Sequence, residues 1–150
     1  MRQFKNMQIN LVKLEDSLHI KTILFKDKLY KAILGNADFD AWEPNLKNTA
    51  WFLIQKNNCS IGVIFFTEVS YQLVSIHTGL YKAFRGNETP KIIKLCLDYI
   101  KRETNCSFLT TIPSKNKAAL QLGKKLNFKI IKTIKNGCVD DDLCLLAEKN

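Results

Sequence analysis

A chain of 150 residues with 46% hydrophobic and 25% charged side chains has material for one globular domain and is neither a disordered tail nor a low-complexity array. Its net charge of +9, from 23 basic and 14 acidic residues, favours anionic partners such as phosphate groups. The lysines are spread along the sequence without a long basic run, so a nucleic-acid partner is not expected. The longest apolar run, Ile61 to Phe66, is too short to cross a membrane, and MRQFKNMQIN has no apolar signal core. Five scattered cysteines without a C-x-x-C pair, and two distant histidines, argue against a disulfide framework and against a metal site. A soluble, cytoplasmic protein with reduced thiols is the expectation.

In chain order, Met7 to Leu14 alternates as a first strand, and Glu15-Asp16-Ser17 supplies helix-starting residues. Ile20, Ile23, Leu24, Leu29 and Ile33 recur at helical spacing over Leu18 to Leu34, and Gly35-Asn36 closes that element. Ala37 to Asn48 reads as an irregular connection, with a turn over Phe39 to Leu46. Ala50 to Gln55 and Ile61 to Thr67 are strands around the turn-rich Lys56 to Ser60, and Tyr71 to Leu80 completes a meander. Pro90 to Arg102 carries a broad apolar face for packing a helix on a sheet. Ser107 to Ile112 is a strand, Asn116 to Leu126 a helix, and Phe128 to Ile134 and Asp142 to Ala147 strands joined at Asn136-Gly137. Cys96 and Cys144 fall at buried positions of this pattern. The order is β-α, a three-strand meander, then α-β-α-β-β, a single α+β domain over residues 1–150.

Two stretches carry chemistry. Arg85-Gly86-Asn87-Glu88-Thr89-Pro90 joins a strand to a helix, and unpaired N–H groups at a helix start, with its dipole, suit a pyrophosphate. Asn116 opens the next helix, followed by Ala119, Leu122 and Phe128. His77 titrates near neutrality and is a candidate proton acceptor, sharing a strand face with Ser75 and Gly79; Tyr81 stands beside the loop. Glu68 and Glu88 complete the set of candidate acids.

The order strand–RGxxxx–helix–strand–Asn–helix over Ser75 to Phe128 resembles the acyl-CoA-binding half of the GNAT (Gcn5-related N-acetyltransferase) superfamily. The resemblance implies a GNAT-like acyl-CoA N-acyltransferase fold, a mixed sheet of about six to seven strands with helices on both faces. It implies acetyl-CoA as cofactor, no metal, and transfer of an acetyl group to an amine. Arg85, Gly86, Asn87, Glu88 and Thr89 would hold the pyrophosphate, Thr78, Gly79 and Leu80 the pantetheine arm, and Asn116 its other side. His77 or water would act as base and Tyr81 as acid. The chain departs from the family pattern at Glu88 and Pro90, where glycine or a small residue is usual. It departs again at Gly123, where the family's acid is commonly tyrosine, and at Ser75, where a carboxylate is common. A narrower likeness, in His77 to Arg85, Thr111 to Asn116 and Asn136 to Asp140, is to a GNAT-like group of tailed bacteriophages. That likeness implies the alternative of a non-catalytic virion or assembly protein acting through protein partners.

Overall fold

The computed structural model describes residues 7–34 and 38–149, so the expected closure at Gly35-Asn36 lies outside the described residues. The elements are β1 (Ile9–Leu14), α1 (Ser17–Phe25), α2 (Tyr30–Leu34), β2 (Thr49–Lys56), β3 (Cys59–Ser70), β4 (Leu73–Leu80), α3 (Thr89–Thr104), β5 (Ser107–Pro113), α4 (Lys117–Lys125), β6 (Phe128–Cys138) and β7 (Asp141–Glu148). The strands form a mixed seven-stranded sheet in the order β1-β2-β3-β4-β5-β7-β6. The α+β fold expected from the element order is the one observed.

Two compact units divide the chain, one of residues up to 67 together with 77–96, the other of 68–76 together with residues from 97 on. In the first, Asp16 caps α1 by accepting from the Leu18 amide at 2.9 Å, as its residue type predicts. The helix expected over Leu18 to Leu34 is in fact two. Asp27 and Lys28 have φ of 56° and 53°, left-handed values that a helix cannot contain, and a 3₁₀ turn at Lys26–Lys28 separates α1 from α2. The apolar spacing survives the break because Leu29 still reaches the core, with Leu14, Ile20, Leu24, Trp51, Leu53, Val63 and Tyr81. Full burial of a side chain such as Leu24 contributes about 1.5–3 kcal/mol.

The meander is set by its turns. Asn57 and Asn58 adopt φ of 50° and 67°, the left-handed pair that a two-residue hairpin needs. The resulting register places Trp51 opposite Phe65, with their rings stacked 4.1 Å apart.

In the second unit, β5 runs parallel to the start of β4, Leu73 to Ser75 against Ser107 to Leu109, and antiparallel to β7. Asn127 takes φ of 69°, the left-handed conformation suited to asparagine at a helix end. The expected turn at Asn136-Gly137 is corrected: both residues lie within β6, in a register shift between Ile134 and Cys138, and the chain reverses at Val139-Asp140. Gly137 is required there because a Cβ would come 2.6 Å from the Leu143 Cβ.

On α3, Ile92, Ile93, Cys96, Leu97 and Ile100 are buried, a stripe at helical spacing. Leu95 and Tyr99 lie on the exposed side, so the apolar face is narrower than the sequence suggests.

Candidate functional site

The residues assigned to pyrophosphate and pantetheine, Thr78 to Thr89, all belong to the first unit, together with His77 and Tyr81. Their framework is the C-terminal end of β4. The ladder from β4 to β5 covers only Leu73 to Ser75, and the Thr110 hydroxyl donates to the Ile76 carbonyl at 2.7 Å. Gly79 is buried, and a Cβ on it would stand 3.0 Å from Leu29 Cδ1 and 3.1 Å from Ile33 Cδ1. Glycine at this position lets the segment around α2 close over the strand.

Tyr81 follows as the pivot. Its amide donates to the Ile61 carbonyl at 2.9 Å, and its hydroxyl donates to the Ile23 carbonyl at 3.0 Å. The side chain is buried and its pKa is raised, by burial first and by Asp27 second. The phenolic proton is thus already committed to the backbone of α1. Asp27 accepts from the Lys82 amide at 2.8 Å, fixing the start of the loop.

Within the loop, Arg85 Nε donates to the Leu80 carbonyl at 2.8 Å, folding the arginine back along its own turn. The Gly86 amide donates to Thr89 Oγ1 at 3.0 Å, and the Thr89 amide to the Gly86 carbonyl at 3.1 Å. Gly86 has φ of 157° and open space where a Cβ would stand. Between these bonds, the amides of Asn87 and Glu88 have no acceptor among the described residues. The Glu88 carbonyl accepts from the Ile92 amide at 3.0 Å, so α3 begins directly behind those two donors. Glu88, expected to bring negative charge toward a phosphate, is instead paired: its carboxylate lies 2.8 Å from Lys56 Nζ. Lys56 is a residue that sequence reading missed. It is 32 positions from Glu88 in the sequence, at the end of β2, and the fold brings the two together.

His77 is half-buried, with its ring 5.1 Å from that of Phe65. Burial lowers its pKa and favours the neutral imidazole at pH 7. Phe65 in turn stacks on Trp51, whose Nε1 is buried without a hydrogen-bond partner among the described residues.

Asn116, Ser75 and Gly123 belong to the second unit. Asn116 caps α4, its side-chain oxygen accepting from the Ala119 amide at 3.1 Å, which leaves its exposed side-chain NH₂ as the group open to a ligand. Gly123 is buried, and a Cβ there would meet Leu146 Cδ2 at 3.1 Å. The position where the resemblance expects tyrosine is closed by β7. Among the described residues no group of histidine, cysteine and acidic side chains is arranged to hold a metal ion.

A mixed seven-stranded sheet in this order, with a glycine-containing loop leading into α3, is the GNAT acyl-CoA N-acyltransferase fold. Solved structures bear this out. The chain is similar to the spermidine N-acetyltransferase of Vibrio cholerae in complex with CoA and spermine, with 13% identity, 95% of each chain covered and a TM-score of 0.74. It is similar to RimL, the ribosomal L7/L12 alpha-N-protein acetyltransferase in complex with coenzyme A, at 16% identity, 93% of each chain and a TM-score of 0.73. It also resembles YncA from Salmonella typhimurium with its cofactor acetyl-CoA, at 15% identity, 95% and 93% coverage and a TM-score of 0.69. No protein-family model matches the sequence, and no curated protein matches it. The narrower bacteriophage likeness finds no support among these comparisons.

Proposed function

We propose that the protein is an acetyl-CoA-dependent N-acetyltransferase, moving an acetyl group from acetyl-CoA to an amine. The observation that carries this reading is the pair of unpartnered amides at Asn87 and Glu88, set at the start of α3 beside Gly86. Buried or not, such donors seek an acceptor, and a pyrophosphate supplies several oxygens at a helix N-terminus. The neighbouring folds, solved with CoA or acetyl-CoA, support the same ligand.

Bound acetyl-CoA would supply an activated thioester. The chain's own residues would do the rest. Arg85 to Thr89 hold the pyrophosphate, with Lys56 neutralising Glu88 so that the carboxylate does not repel it. Backbone groups of Thr78 to Leu80 hold the pantetheine arm and donate to the acyl oxygen. Asn116 is assigned to the other side of that arm on the strength of the family motif. The neutral imidazole of His77 accepts the proton that the incoming ammonium must lose before it can attack. Tyr81, with its hydroxyl on the Ile23 carbonyl, positions the end of β4, and solvent water returns a proton to the departing thiolate.

Calorimetric titration with acetyl-CoA and CoA tests the reading. Micromolar binding, weakened in Arg85→Ala and Asn116→Ala, is expected. Absence of binding at millimolar ligand overturns it in favour of a non-catalytic module that works through protein contacts.

A further inference from the structure

The far edge of the sheet carries a surface that the proposed acetyl transfer does not use. Among the described residues β6 ends the strand order and pairs only with β7, so no described strand bonds the backbone N–H and C=O groups along its outer side. Every residue from Lys129 to Gly137 is exposed. Three of them are isoleucines, Ile130, Ile131 and Ile134, at 44%, 52% and 39% exposure, and the register puts Ile130 on the face of Leu146 and Ile134 on that of Leu143, so apolar surface reaches water on both faces of the edge. The register shift between Ile130 and Lys132 makes Ile131 an extra residue, and beyond it Lys132 and Ile134 stand opposite Leu145 and Leu143.

Charge is segregated on the same segment. From Asn116 to Val139 the chain has six lysines and no acidic residue, and three of the lysines, Lys129, Lys132 and Lys135, stand on β6 itself. We propose that the β6 edge is a docking surface for an acidic, extended segment of a partner protein, which adds as a further strand. Backbone pairing would give affinity, the isoleucines would take apolar side chains, and the lysines would select acidic ones. A second copy of this chain is disfavoured as occupant, because β6 against β6 would set lysines beside lysines. Nucleic acid fits less well than a peptide: β6 offers no arginine, its one aromatic, Phe128, is buried, and the isoleucines give a phosphate backbone nothing.

The test uses the full chain and a fluorescent decapeptide of alternating glutamate and valine. Controls are the same peptide with lysine for glutamate and a single-stranded DNA dodecamer. Anisotropy titration is expected to show binding of the acidic peptide that weakens at least about tenfold in the combined Lys129→Glu, Lys132→Glu, Lys135→Glu variant. It should also weaken on raising NaCl from about 50 to about 300 mM. Amide hydrogen exchange should slow over residues 129–135 when the peptide is bound. If the charge-reversed protein fails to fold by circular dichroism, the corresponding lysine-to-glutamine variant takes its place with a smaller loss expected. Equal binding of the lysine peptide, unchanged affinity in the folded variant, absent protection of β6, or tighter binding of the DNA would each overturn the proposal.

Discussion

The Lys56 ammonium lies 2.8 Å from the Glu88 carboxylate, joining the end of β2 to the residue that precedes α3. A carboxylate in a loop read as an anion cradle is thereby neutralised by a partner far away in sequence. Both side chains are partly solvated, so the pair itself is worth little to folding, about 0–1 kcal/mol. Under the proposed function its weight falls on ligand binding. Lys56→Met should lower CoA affinity about tenfold, equivalent to ~1.4 kcal/mol, because Glu88 would then face the pyrophosphate unpaired. Glu88→Gln should raise affinity, and the double variant should return it near the starting value. Calorimetric titration of the three proteins is the check; equal affinities throughout would separate this pair from the ligand.

Tyr81 offers a sharper distinction between a proton donor and an anchor. Its hydroxyl bonds the Ile23 carbonyl, and Tyr81→Phe would leave that acceptor unsatisfied in the core. The expected cost is about 1–3 kcal/mol of stability, read as a lower denaturant midpoint. The pH profile of kcat should keep its shape. A fall in kcat of about a hundredfold with unchanged stability would instead make the phenol an acid in the reaction.

His77 gives the pH dependence its sign. Burial holds its folded-state pKa below the ordinary 6.5 of the unfolded chain. Above that value the ring is neutral in both states and full stability is present. As pH falls below 6.5 the unfolded chain takes up the proton first, so stability declines until the folded-state pKa is passed. Under the proposed function, activity should rise as pH passes upward through the folded-state pKa, below 6.5, where the native imidazole becomes neutral. A pH titration of urea midpoints for the protein and for His77→Gln measures the first effect, and the variant should lose the His77 share of the slope.

Gly62 tests the packing that holds the end of β4. A Cβ there would lie 2.2 Å from the Gly79 carbonyl oxygen, a backbone atom that cannot step aside. Gly62→Ala should therefore cost about 1–3 kcal/mol through overpacking, whereas Gly86→Ala meets open space at the Cβ position and should cost only the strain of an L residue at its φ of 157°. Thermal unfolding of the two variants ranks them directly.

Thiol reactivity follows burial. Cys96 is buried on α3 and its thiol is pushed up to about 12, while Cys59 is exposed at the β2–β3 turn. Mild alkylation of the native protein followed by peptide mapping should label Cys59 and spare Cys96 and Cys144 until denaturant is added.

The element order, the Asp16 and Asn116 caps, the left-handed Asn127 and the buried Cys96 and Cys144 were all legible in the sequence. Each depends on hydrophobic period or on chemistry within a few residues along the chain. The break at Asp27 and the displacement of the β6–β7 turn to Val139-Asp140 were not. Apolar spacing passes unchanged through a 3₁₀ turn, and an Asn-Gly pair serves a bulge as readily as a hairpin. Tertiary structure alone decided that Glu88 meets Lys56, that the Tyr81 hydroxyl donates a hydrogen bond to the Ile23 carbonyl, that Leu146 closes the position of Gly123, and that β6 stands at the sheet edge. Those relationships join residues distant in sequence, and strand order and register, which no local pattern encodes, set which of them come within bonding distance.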